Sequence, residues 1–139
     1  MATRRDAREW TLQILFGLDL NPQKDIDKVI EDFLSEINVD ERSRDFIETL
    51  VHGVCKEKQT LDAMLQRYAE HWKMKRMRVV DRNILRIALY EMLNFKDTPQ
   101  AVIINEAVDV AKYFSTDASG GFVNGILDKA RKDISSEEN

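Results

Sequence analysis

The side chains best suited to chemistry stand on the first amphipathic stretch of the chain. With Ala7 at the middle of the buried face of a helical wheel, Arg5, Leu12 and Phe16 fall opposite it, and Arg8 and Glu9 flank them. Guanidiniums aligned with an aromatic ring on a solvent-facing side suit single-stranded RNA: the arginines meet phosphates and the ring stacks on a base. The same pattern also fits a plainer role. Leu12 and Phe16 then form a second buried stripe and the arginines are simply solvated. The wheel leaves both readings open.

Support for catalysis or metal binding is thin. His52 and His71 are far apart in sequence, and neither has a His, Cys or carboxylate at ligand spacing. Cys55 has no motif around it and lies on an apolar stripe, which predicts a buried inert thiol. Gly120-Gly121 follows no strand and is too short to cradle a phosphate. Glu91 lies among Val80, Ile84 and Ile87, so it needs an internal ion pair or a helix-end contact. Trp10, at the edge of a buried face, and Trp72, beside a basic block, read as packing residues. No metal and no cofactor is expected, and the chain does not read as an enzyme.

These residues need helices to position them, and helical period runs through every segment. Thr3-Arg4-Arg5-Asp6 reads as a capping box. A helix follows to about Leu18, with Ala7, Thr11, Ile14, Leu15 and Leu18 inward. Ile26, Val29, Ile30, Phe33, Leu34 and Ile37 give a second helix. Asp40 caps a third, predicted to run unbroken for about 28 residues past Leu61 and Leu65 to Tyr68. From about Met77 to Phe95 apolar residues point almost all round, as in a central, buried helix. Thr98-Pro99 starts another. Residues 115–121 read as a loop, with Ser119 capping a last helix and the tail from Ser135 frayed. Gly17, Gly53 and Gly125 each cost a helix about 1 kcal/mol relative to Ala, which close helix crossings would explain. The expected fold class is all-α.

Composition agrees with one domain over residues 1–139. There are only 5 Gly and 2 Pro to interrupt helices, and 43% hydrophobic residues to fill a core. No apolar run approaches the roughly 20 residues of a membrane span. The start carries no signal-like apolar stretch, and a single Cys excludes an internal disulfide. A cytoplasmic location is expected. Net charge is −4, yet it is unevenly spread. Residues 19–48 hold ten acids and four bases, whereas residues 67–86 hold seven bases against Glu70 and Asp81. Such a surface can bind an anion on one side only.

Three segments then name a family: Asp81-Arg82-Asn83-Ile84-Leu85-Arg86-Ile87-Ala88-Leu89-Tyr90-Glu91, Ile104-Asn105-Glu106-Ala107-Val108, and Phe122-Val123-Asn124-Gly125-Ile126-Leu127-Asp128-Lys129. In this order, behind an arginine-rich first helix, the chain resembles the NusB family from about Arg4 to about Ala130. The resemblance implies two small helical bundles packed into one domain. It implies a non-enzymatic transcription antitermination factor that binds boxA RNA of nascent ribosomal transcripts. The implied partners are the small-subunit ribosomal protein NusE, as a heterodimer, and the transcription elongation complex. A NusB-like domain also opens ribosomal RNA cytosine methyltransferases; residues 1–139 leave no room for a methyltransferase domain, and that form is not expected.

Residue by residue, the resemblance implies RNA contact by Arg4, Arg5 and Arg8, a stretch diluted by Asp6. It implies base stacking by Phe16 and Phe122. The family loop before Phe122 often carries an acid and a base near RNA. Here residues 116–121 contain Asp117 and no base. Asp81 corresponds to an acidic position on the family's partner-protein surface. The other class of function left open is a helical protein–protein adapter that never touches RNA.

Overall fold

The capping box at the start of the chain is formed. In the computed structural model, which describes residues 2–70 and 73–138, Thr3 Oγ1 accepts from the Asp6 amide at 3.0 Å. Asp6 Oδ2 accepts from the Thr3 amide at 2.9 Å. This launches α1 (Arg4–Leu20), followed by α2 (Ile26–Ser35) and α3 (Glu41–Lys56). Asp25 caps α2 by accepting from the Asp27 amide, and Asp40 caps α3 by accepting from the Ser43 amide at 3.2 Å. These three helices make the first of two units, residues 1–56.

Within that unit α1 packs against α2 and α3. Ala7, Thr11, Ile14, Leu15 and Leu18 are buried, as their spacing predicts, and so are Ile47, Leu50 and Val51 of α3. Each large apolar side chain taken out of water contributes about 1.5–3 kcal/mol. On α2 only Ile30 and Leu34 are fully buried; Val29 and Phe33 are half-buried. Beyond the apolar contacts, Arg44 pairs with Glu31, and His52 Nε2 lies 2.7 Å from Asp27 Oδ1. Both pairs tie α2 to α3.

The expected 28-residue helix is two helices. α3 stops at Lys56, and α4 (Lys58–Ala69) begins one residue later, with Glu57 at φ −96° and ψ 10°. The apolar stripe lapses there: residues 55–60 contain no buried side chain, so nothing fixes a continuous helix across them. This break opens the second unit, residues 57–139. It continues through a 3-10 turn (Met74–Arg76), α5 (Val79–Asn94), α6 (Gln100–Phe114) and α7 (Asp117–Glu138). His71 and Trp72 lie outside the described residues. No strand occurs among the described residues, so the chain is all-α.

α5 is the centre of the second unit and packs against α4, α6 and α7. Ten of its sixteen residues are buried, among them Ile84, Leu85, Leu89 and Met92, as its all-round apolar pattern predicts. Polar groups are placed with partners. Buried Arg86 donates from Nε and Nη2 to the two oxygens of Asp62 on α4, at 2.7 and 2.8 Å, and from Nη1 to Asn83 at 3.0 Å. Glu91 is 1% exposed and is not without a partner. Tyr68 of α4 donates to Asp133 of α7, and Lys129 Nζ reaches Glu70 at 2.7 Å.

Three local expectations change. α7 begins at Asp117, so the loop shrinks to Ser115–Thr116, and Thr116 Oγ1 caps it by accepting from the Ser119 amide at 3.0 Å. Ser119 is thus inside the first turn and not the cap. The tail is helical through Glu138. A Cβ at Gly120 would lie 2.7 Å from Lys112 Cγ, whereas Cβ atoms at Gly17 and Gly125 would meet no neighbouring element within 4 Å.

Candidate nucleic-acid interface

On the first unit, α1 presents its outer side in the form the wheel predicts only in part. Phe16 is 41% exposed and Leu20 is 66% exposed, leaving an aromatic ring open to solvent. Leu12, assigned by the wheel to the same outer side, is 3% exposed and belongs to the buried set. Arg8 is buried at 7%. Its guanidinium carbon lies 5.7 Å from the centroid of the Phe46 ring, and that of Arg4 lies 3.8 Å from the same ring. Phe46 comes from α3, so no pattern local to α1 reports it.

The consequence for phosphate binding is graded. Arg4 is exposed, and stacking on Phe46 holds its plane while leaving its N–H edges for an anion. Arg5 is half-buried and Arg8 is enclosed. Beside Arg4 is a cleft of about 190 Å³ lined also by Thr3, Arg42, Ser43, Phe46 and Asp40. The Ser43 hydrogen bond holds the Asp40 carboxyl below the usual carboxylate range. Asp40 therefore stays negative and tempers the attraction of Arg4 and Arg42 for anions.

On the second unit, the first turn of α7 and the start of α5 enclose a cleft of about 340 Å³. Phe122 lines it and is half-buried, a ring with one side in the fold. Arg76 and Arg78, both exposed, line it as well. The base missing from residues 116–121 is thus supplied by the 3-10 turn and the residue before α5. A hydrogen-bonded relay holds the cleft: Arg78 Nη1 donates to Ser115 Oγ at 3.1 Å, Ser115 and Ser119 hydroxyls are 2.9 Å apart, and Ser119 Oγ donates to Asp81 Oδ2 at 3.1 Å.

Asp81, the position expected to meet the partner protein, is buried. It is 6% exposed and lines this cleft. A carboxylate that steers a basic partner through solvent must be exposed to do so, and Asp81 is enclosed instead.

The other polar residues read as structural. Cys55 is half-buried rather than buried, and Trp10 is half-buried. Among the described residues, no three His, Cys, Asp or Glu side chains gather as metal ligands do. No described helix is long and apolar enough to cross a membrane.

Comparison with known proteins decides the family. The NusB family model matches residues 5–132. The chain belongs to the NusB family. The transcription antitermination protein NusB of Desulfosudis oleivorans is 44% identical over 140 residues, covering 99% of this chain and 91% of that protein. The solved NusB of T. maritima superposes with a TM-score of 0.88 at 37% identity, over 94% of this chain and 92% of that one. A further NusB, solved with the antitermination factor NusE in complex with dsRNA, gives a TM-score of 0.84 at 22% identity over 93% of this chain and 96% of that one. At that identity it speaks for the NusB fold alone.

Proposed function

We propose that this protein is a transcription antitermination factor that binds boxA-type single-stranded RNA of nascent ribosomal transcripts together with the ribosomal protein NusE. The observation that carries this reading is the NusB family match over residues 5–132, with relatives named as antitermination proteins. Two features of the chain support the RNA half. Phe16 is an exposed ring on the helix that opens with Arg4 and Arg5, and Phe122 stands in a cleft with Arg76 and Arg78. Stacking platforms and guanidiniums are what unpaired bases and their phosphates require. The protein works on the elongation complex, hence in the cytoplasm, and its role is binding rather than catalysis.

A NusB of the same fold has been solved with NusE and a dsRNA, so NusE and the form of the RNA are the variables to test. The test is fluorescence anisotropy with a labelled boxA-type RNA, a scrambled single strand and a duplex, each with and without NusE. Preferential binding of the boxA strand, strengthened by NusE, is the expected result. Binding of NusE with no response to any RNA would favour the adapter that never touches RNA.

A further inference from the structure

We propose that Asp81 reads the base stacked on Phe122, accepting a hydrogen bond from an exocyclic amino group of the cytosine or adenine type; the inference rests on the RNA-binding reading above. The observation behind it is an imbalance within one carboxylate. Asp81 is 6% exposed, and its Oδ2 accepts from Ser119 Oγ at 3.1 Å. Its Oδ1 is buried and has no hydrogen-bond partner. Buried acceptors are almost always satisfied, and one left without a donor is costly. A ligand that brings a donor recovers that cost, and a ligand that brings an acceptor adds repulsion.

The surroundings narrow the ligand. The cleft combines a ring, Phe122, with two guanidiniums, Arg76 and Arg78. A flat heterocycle joined to a phosphate matches that set. A divalent cation does not, because two cationic side chains line the same space. The carboxylate is also aimed. Ser119 spends its hydrogen on Asp81, so Ser115 donates to Ser119, and Arg78 donates to Ser115. This relay fixes the Asp81 side chain, as recognition of one base edge requires. Oδ1 is enclosed in the unbound protein, so a base edge reaches it as the side chains lining the cleft adjust, and exposed Arg76 lines that cleft.

Cytosine and uracil make the cleanest contrast, since they differ at this edge by an amino group against a carbonyl. The experiment measures anisotropy of short oligocytidylate and oligouridylate with the full chain and with Asp81→Asn. The wild type should prefer oligocytidylate by roughly tenfold, the ratio expected for one hydrogen bond to a charged acceptor. In Asp81→Asn the amide oxygen can still accept from Ser119, and an NH₂ replaces Oδ1. The preference should then move toward oligouridylate, with the melting temperature held. Equal wild-type binding of both RNAs overturns the assignment while leaving RNA binding intact, and so does a folded Asp81→Asn variant with unchanged preference. Binding of neither RNA by the wild type, while a boxA-type strand still binds, overturns the assignment and leaves the RNA reading intact; loss of boxA binding as well, with and without NusE, overturns both. The wild-type comparison stands even if the variant does not fold.

Discussion

At the scale of single residues, exposure separates the side chains proposed to recognise RNA from those that hold the fold. Phe16 is 41% exposed. Phe16→Ala should therefore weaken RNA binding by roughly 1–3 kcal/mol, the worth of one stacked base, with little change in melting temperature. Phe122 is half-buried, so Phe122→Ala should lower both affinity and melting temperature. Arg8 should behave in the opposite sense to Phe16. It is 7% exposed and faces the Phe46 ring. Arg8→Ala should cost about 1–2 kcal/mol of stability, the range of a desolvated cation–π contact, and leave the salt dependence of RNA binding nearly unchanged. Thermal melts beside anisotropy titrations separate these outcomes; a flattened salt slope in Arg8→Ala would return Arg8 to the phosphate site. The sequence pattern distinguished the buried stripe of α1 correctly from Ala7 to Leu18. It left Leu12 open between an outer face and a second buried stripe, and placed Arg8 on the flank, because one wheel carries no information about what other elements bring. Phe46, supplied by α3, is such a contribution, and so is the relay from Arg78 to Asp81.

At the scale of helices, period was legible and so were the caps at Thr3 and Asp40, but continuity and the cap of α7, Thr116 in place of Ser119, were not. The Thr3–Asp6 capping box and the all-round apolar α5 follow directly from local rules. The break at Glu57 does not, because a stripe that pauses over residues 55–60 can resume in phase on a second helix. Gly17 is a case where the local rule was right and its explanation was not. No atom beyond the local turn of α1 lies within 4 Å of a Cβ at this position, so no close crossing requires glycine. Gly17→Ala should raise the unfolding free energy by about 0.5–1 kcal/mol, read from urea melts. A loss of stability would mean that α1 needs flexibility at this point.

The link between α4 and α7 makes a pH prediction. Burial, and then the hydrogen bond to Asp133, push the Tyr68 phenol from 10.0 up to about 12. The folded chain holds this proton more tightly than the unfolded chain does. The contribution is therefore complete below about pH 10 and is lost as pH rises through about 12. Tyr68→Phe cannot ionise. Its stability difference from the wild type should be constant up to about pH 10 and then shift against the wild type between pH 10 and 12. A difference that stays flat across that interval would show that the phenol is not held in the fold.

For the whole molecule, charge is distributed by unit. Residues 1–56 carry twelve acids and eight bases, and residues 57–139 carry thirteen of each, so the net −4 resides in the first unit. RNA binding by such a chain depends on local sets of bases rather than on net charge. The basic stretch seen in the sequence is smaller in the fold than its seven members suggest. Arg86 is committed to Asp62, Arg82 Nη1 donates to the Met74 carbonyl, and Arg67 lies 3.6 Å from Asp133. Arg78 donates to Ser115, which leaves Lys73, Lys75 and Arg76 as an exposed set on the second unit; on the first, Arg4 is exposed and Arg5 is half-buried. Each phosphate neutralised on a single strand contributes about −0.7 to the log–log salt slope. Replacing Lys73, Lys75 and Arg76 with Gln should flatten the slope by about 2, and replacing Arg4 and Arg5 should flatten it by about 1.4. If one RNA engages both units, the two changes add in the combined variant, because separate phosphates release separate counterions. A combined slope equal to that of either set alone would mean that a single unit carries the phosphate contacts. Anisotropy titrations across a range of potassium chloride concentrations, with NusE present throughout, make this measurement.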